Sequence, residues 1–498
     1  MSKYRRSVGR WLAKYLSLLI VKGLPRLAES GKLERGLVTL ASIARAIPSE
    51  QKHRIQVEQF REAVMAGHPA LEVARRIILR SHPKYLQAFF GNLWLPWWGS
   101  TRKRREFLER EGFEPPQLAV ISPLRQCNLQ CTGCYANAVT SRREERLDFD
   151  TMDRIVTELK SFGISLIVFT GGEPTHPLIW PAVKMVCARH DDTAFMMYTN
   201  GTLLDDDKVQ DLIELGNLSP AISIEGWQKE TDERRGDGVY EKVMDAMDRL
   251  RATGVLFGFS LTYTSKNFEA ATSARFIDHL MEKGCVYGWY FMYVPVGKDP
   301  DLDLLVTPWQ RDRIRRFTWD MLRQKGLFIA DFWNSGAMSK GCIAASRYLH
   351  VNNRGDIEPC VFFKFTTHNI HNCKLIDALR SPLFCEIRKA QEGQSNPLTP
   401  CQFMDNPHDG KRAVEAAGAR ASEEGGEELL GPRMFPFLEK WSGEYREHYA
   451  GPAWLESGDY AWFDHVYRGS HWLSPGTQPG SSRWAEKAKR PEATSVKR

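Results

Sequence analysis

The stretch RQCNLQCTGCYANA, residues 125–138, places cysteines at 127, 131 and 134 and supplies no fourth nearby. Four thiolates are the usual complement of a zinc or iron–sulfur site, so three leave alternatives open. The last ligand of a metal site lies elsewhere, the thiols are simply buried, or a cluster is left one ligand short. The close spacing lets one loop wrap three corners of a cubane, and thiolates suit iron–sulfur or zinc.

The strand-like LAVISPL (118–124) precedes this loop, and the sequence beyond it decides the fold. SLIVFT (165–170), AFMMYTN (194–200), PAISIEG (220–226), LFGFSLTYT (256–264) and YGWYFMYVPV (287–296) read as further strands. Between them lie amphipathic helices such as DFDTMDRIVTELKSFG (148–163), DDDKVQDLIELG (205–216) and FEAATSARFIDHLMEKG (268–284). Strands separated by helices predict βαβ units and a parallel sheet. Six successive units predict an α/β partial or full barrel with ligands at the C-terminal strand ends. At those ends stand FTGGEP (169–174), TNG (199–201) and SIEG (223–226) followed by DERRG (232–236). The paired glycines are expected to let backbone approach a ligand closely, beside a carboxylate.

Taken in this order, the cysteine loop and the strand-end motifs resemble the radical S-adenosylmethionine (radical SAM) superfamily over about residues 117–300. The resemblance implies a partial (βα)6 TIM-like barrel. It implies a [4Fe–4S] cluster on Cys127, Cys131 and Cys134, with SAM on the fourth iron. It maps the GGE motif onto Gly171, Gly172 and Glu173, with Glu173 receiving the SAM amino group. Asn200, Ser223 and Glu225 fall where relatives touch the methionyl or ribose portion, and Arg235 is the expected partner of the SAM carboxylate. Ser260 and Thr262 are weaker candidates. The usual aromatic before the third cysteine is replaced by Gly133, and Tyr135 is expected to shield the cluster instead. The implied reaction is reductive cleavage of SAM to a 5′-deoxyadenosyl radical that takes hydrogen from an unactivated carbon. It requires an electron donor such as ferredoxin or flavodoxin.

A second cysteine group, Cys342, Cys360 and Cys401, follows the barrel, with YLHVNNRGDIEPC between its first two members predicting a hairpin turning at 352–355. This resembles the SPASM extension or its shortened form, which implies an auxiliary [4Fe–4S] cluster. Its fourth ligand is open among Cys373, Cys385, His371, His408 or a vacant position. Structural thiols and zinc are the alternatives. Cys187 and Cys285 read as core residues.

With 498 residues, 42 % hydrophobic and 26 % charged, the chain has room for two to four domains. Residues 1–36 hold nine Lys/Arg against two acidic residues, matching the net +7 of the whole chain. The balanced remainder argues against a nucleic-acid footprint. The expected divisions are a helical region 1–116, a barrel 117–335, a Cys-bearing extension 336–410, a helical and aromatic region 411–480 and a disordered tail 481–498. Trp11, Leu12, Tyr15, Leu16, Leu19 and Ile20 recur at helical spacing, for a helix packed on the body or lying in an anionic membrane surface. QAFFGNLWLPWWG (87–99) beside TRKRR (101–105) suits a membrane interface or a plug against the barrel. The expected location is cytoplasmic, peripheral to the inner face of the membrane if the head helix docks there.

GVLFGFSLTYT, YGWYFMYVPVGKDPDLDL and DFWNSG resemble the branch of tetraether and membrane-spanning-lipid synthases, which join chains at terminal methyl carbons. That likeness implies a membrane lipid substrate and C–C coupling, with a tunnel lined by Trp289, Tyr290, Phe291, Met292 and Tyr293. A SPASM-type peptide maturase is the alternative. It predicts a winged-helix module before the barrel, where this sequence reads as helical. An iron–sulfur sensor or scaffold without catalysis is a third reading, opposed by the full set of SAM-facing motifs.

Overall fold

The computed structural model describes residues 23–46, 57–94 and 101–455, apart from positions 59, 63, 68, 69, 141–144, 165, 298 and 340. The expected head helix, residues 95–98 of the aromatic patch and the tail lie outside the described residues.

Short apolar runs become strands where both faces are covered. From residue 118 these are β1 (Leu118–Ile121), β2 (Leu166–Phe169), β3 (Ala194–Thr199), β4 (Leu218–Ser223), β5 (Gly258–Tyr263), β6 (Gly288–Met292) and β7 (Ile329–Asp331). Neighbours pair in chain order and all in parallel. Five of the first six lie within the runs expected from sequence, and β4 starts two residues before its expected run at 220. The seventh, three residues after a long helix, is too short to carry a periodic signal. An eighth strand, β8 (Tyr348–Val351), pairs in parallel with the free side of β1, setting Leu118 opposite Tyr348. β9 (Asp356–Glu358) returns antiparallel to it, as the expected hairpin. β7 and β8 do not pair, so the barrel remains open at that seam.

Outside the sheet run α1 (Phe149–Ser161), α2 (Trp180–Arg189), α3 (Asp206–Leu215), α4 (Gln228–Arg235), α5 (Val239–Thr253), α6 (Ala274–Glu282) and α7 (Pro308–Lys325). Local chemistry sets their ends. Asp148 and Asp205 accept the N–H groups of Thr151 and Lys208 at the starts of α1 and α3, and Thr307 with Gln310 forms a capping box on α7. α1 buries Met152, Ile155, Val156 and Leu159, the apolar stripe of an amphipathic helix.

The N-terminal helices close the floor of the barrel, and their basic residues do much of the fastening. Arg76 donates to Lys325 O, Arg80 to Met281 O, Lys84 to Glu214 O and Lys103 to Lys160 O. Each acceptor is in the last turn of a barrel helix, where carbonyls lack intrahelical partners and the helix dipole is negative. Each contact contributes about 0.3–1 kcal/mol. Pro83 opens a short helix (Pro83–Ala88) on an N-cap at His82, because proline is tolerated in the first turn. Phe89 and Phe90 pack against the core, and Asn92 donates to Asp191 O at the foot of the barrel. The described part of the aromatic patch is therefore a plug. Among the described residues, no helix is long and apolar enough to cross a membrane.

The extension is tied to the barrel by buried charge. Arg311 of α7 forms an ion pair with Asp405, and both side chains are essentially inaccessible (0 % and 1 %). The guanidinium lies 3.9 Å from the Tyr445 ring centre, while Asp405 accepts the Cys401 N–H at 3.0 Å. Removing one partner strands the other charge in the core. Asp405→Ala is expected to cost about 3–5 kcal/mol in denaturant unfolding, and pairing it with Arg311→Met is expected to recover most of that.

Candidate active site

The loop after β1 and the loop after β2 are joined backbone to backbone. Gly172 N–H donates to Leu124 O at 2.8 Å and Glu173 N–H to Gln126 O at 2.9 Å, one residue before Cys127. A Cβ on Gly172 would overlap the Gln126 carbonyl oxygen and stand 2.5 Å from its carbon. One on Gly171, at φ +110°, would stand 2.5 Å from Leu124 O. The paired glycines were expected to admit a ligand. What they admit is the cysteine loop itself, which no side chain would let so close.

Cys127, Cys131 and Cys134 are all free thiols. Gly133 turns the loop at φ +64°, where a Cβ would meet the Tyr293 ring at 2.6 Å. Burial pushes the Cys127 thiol up to about 12, with further contributions from Glu173 and the two other thiols. Burial also raises Cys131, while Arg235 and Arg234 act in the opposite sense. Iron binding replaces such protons, so the cations beside Cys131 favour the thiolate that a metal needs. Arg235 Nη1 lies 3.9 Å from Cys131 Sγ, and Asn200 Nδ2 3.6 Å from Cys127 Sγ. Among the described residues, no three His, Cys, Asp or Glu side chains close around a single ion position. A four-iron cluster holds its thiolates farther apart than one ion does, and this donor set fits it.

Glu173 is almost wholly buried. Its Oε1 accepts Thr175 N–H, Thr175 Oγ1 and Thr199 Oγ1, and its Oε2 accepts Asn200 N–H at 2.8 Å. Oε2, with one bond, is the oxygen left to receive an ammonium. Asn200, expected to face SAM, is engaged with the cluster loop: Nδ2 donates to Asn128 Oδ1 and Oδ1 accepts from Thr202. Arg235 is likewise committed. It donates to Glu225 Oε1 through Nε (2.8 Å) and Nη2 (2.5 Å), and Arg234 Nη1 reaches the same oxygen at 2.6 Å. Glu225 Oε2 and Arg234 Nε are buried without a partner. Two guanidiniums against one carboxylate leave a net positive charge beside unsatisfied polar atoms. A carboxylate such as that of the methionyl group of SAM would suit that charge. Arg234 was not singled out in the sequence; its neighbour in the RR pair was the only local hint.

Ser223 and Ser260, opposite each other on β4 and β5 with hydroxyls 3.1 Å apart, border the barrel cavity together with Thr262. Counted together with the open solvent at its mouth, the cavity spans ≈ 780 Å³. Away from these serines and arginines its wall is Leu118, Val120, Val168, Tyr198, Phe291, Phe332, Tyr348 and Phe362. Tyr135 forms part of it, its hydroxyl 2.6 Å from Thr170 Oγ1 and its ring 5.2 Å from Phe362. Of the tunnel residues expected on β6, Phe291, Met292 and Tyr293 line the cavity. Trp289 stacks on Phe291, and Tyr290 turns to the helical layer, donating to Ala271 O. Alternation along a strand sends neighbours to opposite faces, which an unbroken aromatic run conceals.

Residues 121–272, from the end of β1 to just past β5, match the model of the Radical SAM superfamily. The chain carries a radical SAM domain. It is an enzyme whose cofactors are a [4Fe–4S] cluster and SAM. The AdoMet-dependent heme synthase of Methanosarcina barkeri is 25 % identical to it over 322 residues, 56 % of this chain and 90 % of that protein. The Fe-coproporphyrin III synthase of the same organism is 31 % identical over 151 residues, 30 % of this chain and 38 % of that protein. Among solved structures, SuiB of Streptococcus suis bound to S-adenosylmethionine shares the fold. Its TM-score is 0.52 at 18 % identity, covering 72 % of this chain and 89 % of that one.

Behind the radical SAM barrel, Cys342, Cys360 and Cys401 stand close enough for each to influence another's ionisation. Burial raises all three, Cys401 to about 12. The four residues weighed as a fourth ligand have other neighbours. Cys373 donates to Asn369 O, Cys385 meets Arg388 at 3.2 Å, His408 meets Glu439 at 2.9 Å, and the ring of His371 faces Gly355. The carboxylate beside the group, Asp405, is held by Arg311. Val361 and Phe362, next along from Cys360, line the barrel cavity, so this group and the cavity share a wall. Cys187 and Cys285 are core residues, both fully buried.

Proposed function

We propose that this radical SAM enzyme removes hydrogen from saturated carbons of an apolar chain held in the barrel cavity and joins two lipid acyl chains through those carbons. Cys127, Cys131 and Cys134 hold the cluster, and Glu173, Ser223, Glu225, Arg234 and Arg235 hold SAM. When bound there, the cluster would supply the electron for reductive cleavage of SAM to methionine and a 5′-deoxyadenosyl radical. Joining two C–H carbons consumes two SAM and two electrons and releases two methionines and two 5′-deoxyadenosines, which balances the hydrogens removed. The barrel side chains orient the chain and exclude water. Cys342, Cys360 and Cys401 hold an auxiliary cluster, and the electron donor is a ferredoxin or flavodoxin. The protein works at the inner membrane surface, where such chains are available.

The observation that carries this reading is the cavity wall. Ser223, Ser260, Arg234 and Arg235 gather where SAM is assigned, while aliphatic and aromatic side chains make up most of the remaining wall. A peptide backbone would need more hydrogen-bonding partners along its length than this mainly apolar wall offers. Anaerobic expression in a host with ordinary acyl lipids, followed by lipid mass spectrometry, is expected to show species of doubled chain length with two fewer hydrogens per coupling. Iron coproporphyrin offered to the reconstituted enzyme with SAM and reductant is expected to return unchanged. An unaltered lipid profile from a preparation that forms 5′-deoxyadenosine would overturn the acyl reading.

A further inference from the structure

The aliphatic hydroxyls and guanidiniums on the cavity wall, those of Thr170, Ser223, Ser260, Thr262, Arg234 and Arg235, stand at or near the C-terminal strand ends. Ser223, Ser260 and Arg235 mark the end at β4 and β5, near the C-terminal rim. Across the barrel the cavity descends along β1 to Leu118, the first residue of that strand and paired in register with Tyr348. Three residues of extended chain separate Leu118 from the rim at Ile121, so this end lies roughly 10 Å deeper. Leu118 is only half-buried although it starts a central strand, whereas the three residues after it are buried. Tyr348 opposite it is 1 % exposed, and its hydroxyl accepts the Val361 N–H, so it offers the cavity ring surface.

Among the described residues, the start of the strand is tied down by several contacts. Beneath Leu118, the Arg104 guanidinium donates to Pro115 O and Pro116 O at 3.1 Å each. The Phe107 ring packs edge-on against Phe113 and Phe162. The N–H groups of Gln117 and Leu118 both donate to Arg347 O, locking the strand start to the extension. The chamber therefore has a fixed polar end and a fixed apolar end, and a chain reacting near the polar end is limited by what it meets at the other.

We propose that Leu118, backed by Tyr348, is the ruler that sets how far an apolar chain reaches past the reacting carbon. This rests on the reading that the cavity holds an acyl chain. Enlarging the side chain shortens the preferred substrate and trimming it lengthens the preference, with each misplaced methylene changing selectivity about 10-fold or more. The ruler is a specificity residue that touches the chain end and takes no part in SAM cleavage.

The test uses the reconstituted enzyme with SAM under anaerobic conditions. Saturated fatty acids of graded length displace cis-parinaric acid from wild type, Leu118→Phe and Leu118→Ala. The expected result is a binding optimum moved to shorter acids in Leu118→Phe and to longer acids in Leu118→Ala, with SAM affinity unchanged in both. Opposite shifts from two substitutions are not produced by loss of folding, and either variant alone still reports a direction. Identical length profiles in all three proteins would overturn the ruler and leave the acyl reading standing. Wild type that cleaves SAM yet binds none of the acids would overturn both.

Discussion

Cys131→Ala is expected to abolish SAM cleavage and to remove about four irons per chain from the reconstituted protein. The three thiols arise from one loop, and among the described residues no further His, Cys, Asp or Glu completes a set with them. A two-thiol remnant therefore has no substitute to recruit. Cys131 is also the thiol next to the two guanidiniums, with Arg235 Nη1 at 3.9 Å. Its loss leaves that positive charge facing a methyl group. Formation of 5′-deoxyadenosine should drop to the background of protein without iron, and the reduced-cluster EPR signal of this site should vanish. Cys360→Ala is the informative partner experiment. It is expected to lower iron by a similar amount while SAM cleavage persists, because the second group lies across the cavity wall from the SAM site. SAM cleavage that survives Cys131→Ala would show that the loop is not the catalytic site.

Gly172→Ala is expected to prevent cluster assembly without touching any ligand, and to destabilise the barrel by about 3 kcal/mol or more. The added methyl would overlap the Gln126 carbonyl oxygen and stand 2.5 Å from its carbon and 2.6 Å from the Arg125 carbonyl carbon. These are backbone atoms of the cysteine loop and cannot rotate away. Relief requires the loops after β1 and β2 to part. That breaks the Gly172-to-Leu124 and Glu173-to-Gln126 hydrogen bonds and moves Cys127 away from the other two thiols. Thermal unfolding and iron content of the purified protein measure both effects. An alanine variant with full iron content and unchanged unfolding would show that the loops do not need this close approach.

The features legible in the sequence are local ones. The cysteine spacing, the helical stripes and the first six strands each depend on residues a few positions apart, and each stands at or within two residues of where it was expected. The roles of particular side chains were less legible, because they depend on which distant groups arrive beside them. Arg235, expected as the partner of the SAM carboxylate, also shares Glu225 with Arg234, a pairing across a strand end and a helix. Asn200 was expected at the methionyl group and instead braces the cysteine loop, 72 residues away in the chain. Arg76, Arg80 and Lys84 had no evident purpose in sequence, and Lys103 was read with the basic run beside the aromatic patch. They become helix caps only once four helix ends are assembled above them.

By itself, then, the sequence determined a radical SAM domain and its chemistry. A cluster loop and strand-end motifs are short segments whose chemistry is fixed by residue type and spacing. Only the tertiary structure decided the chamber in which that chemistry is used. Its wall joins Leu118 of β1 to Tyr348 and Phe362 of an extension more than 200 residues later. Parallel pairing with β1 requires a free sheet edge at the right register, and that edge exists only after the barrel has formed without closing.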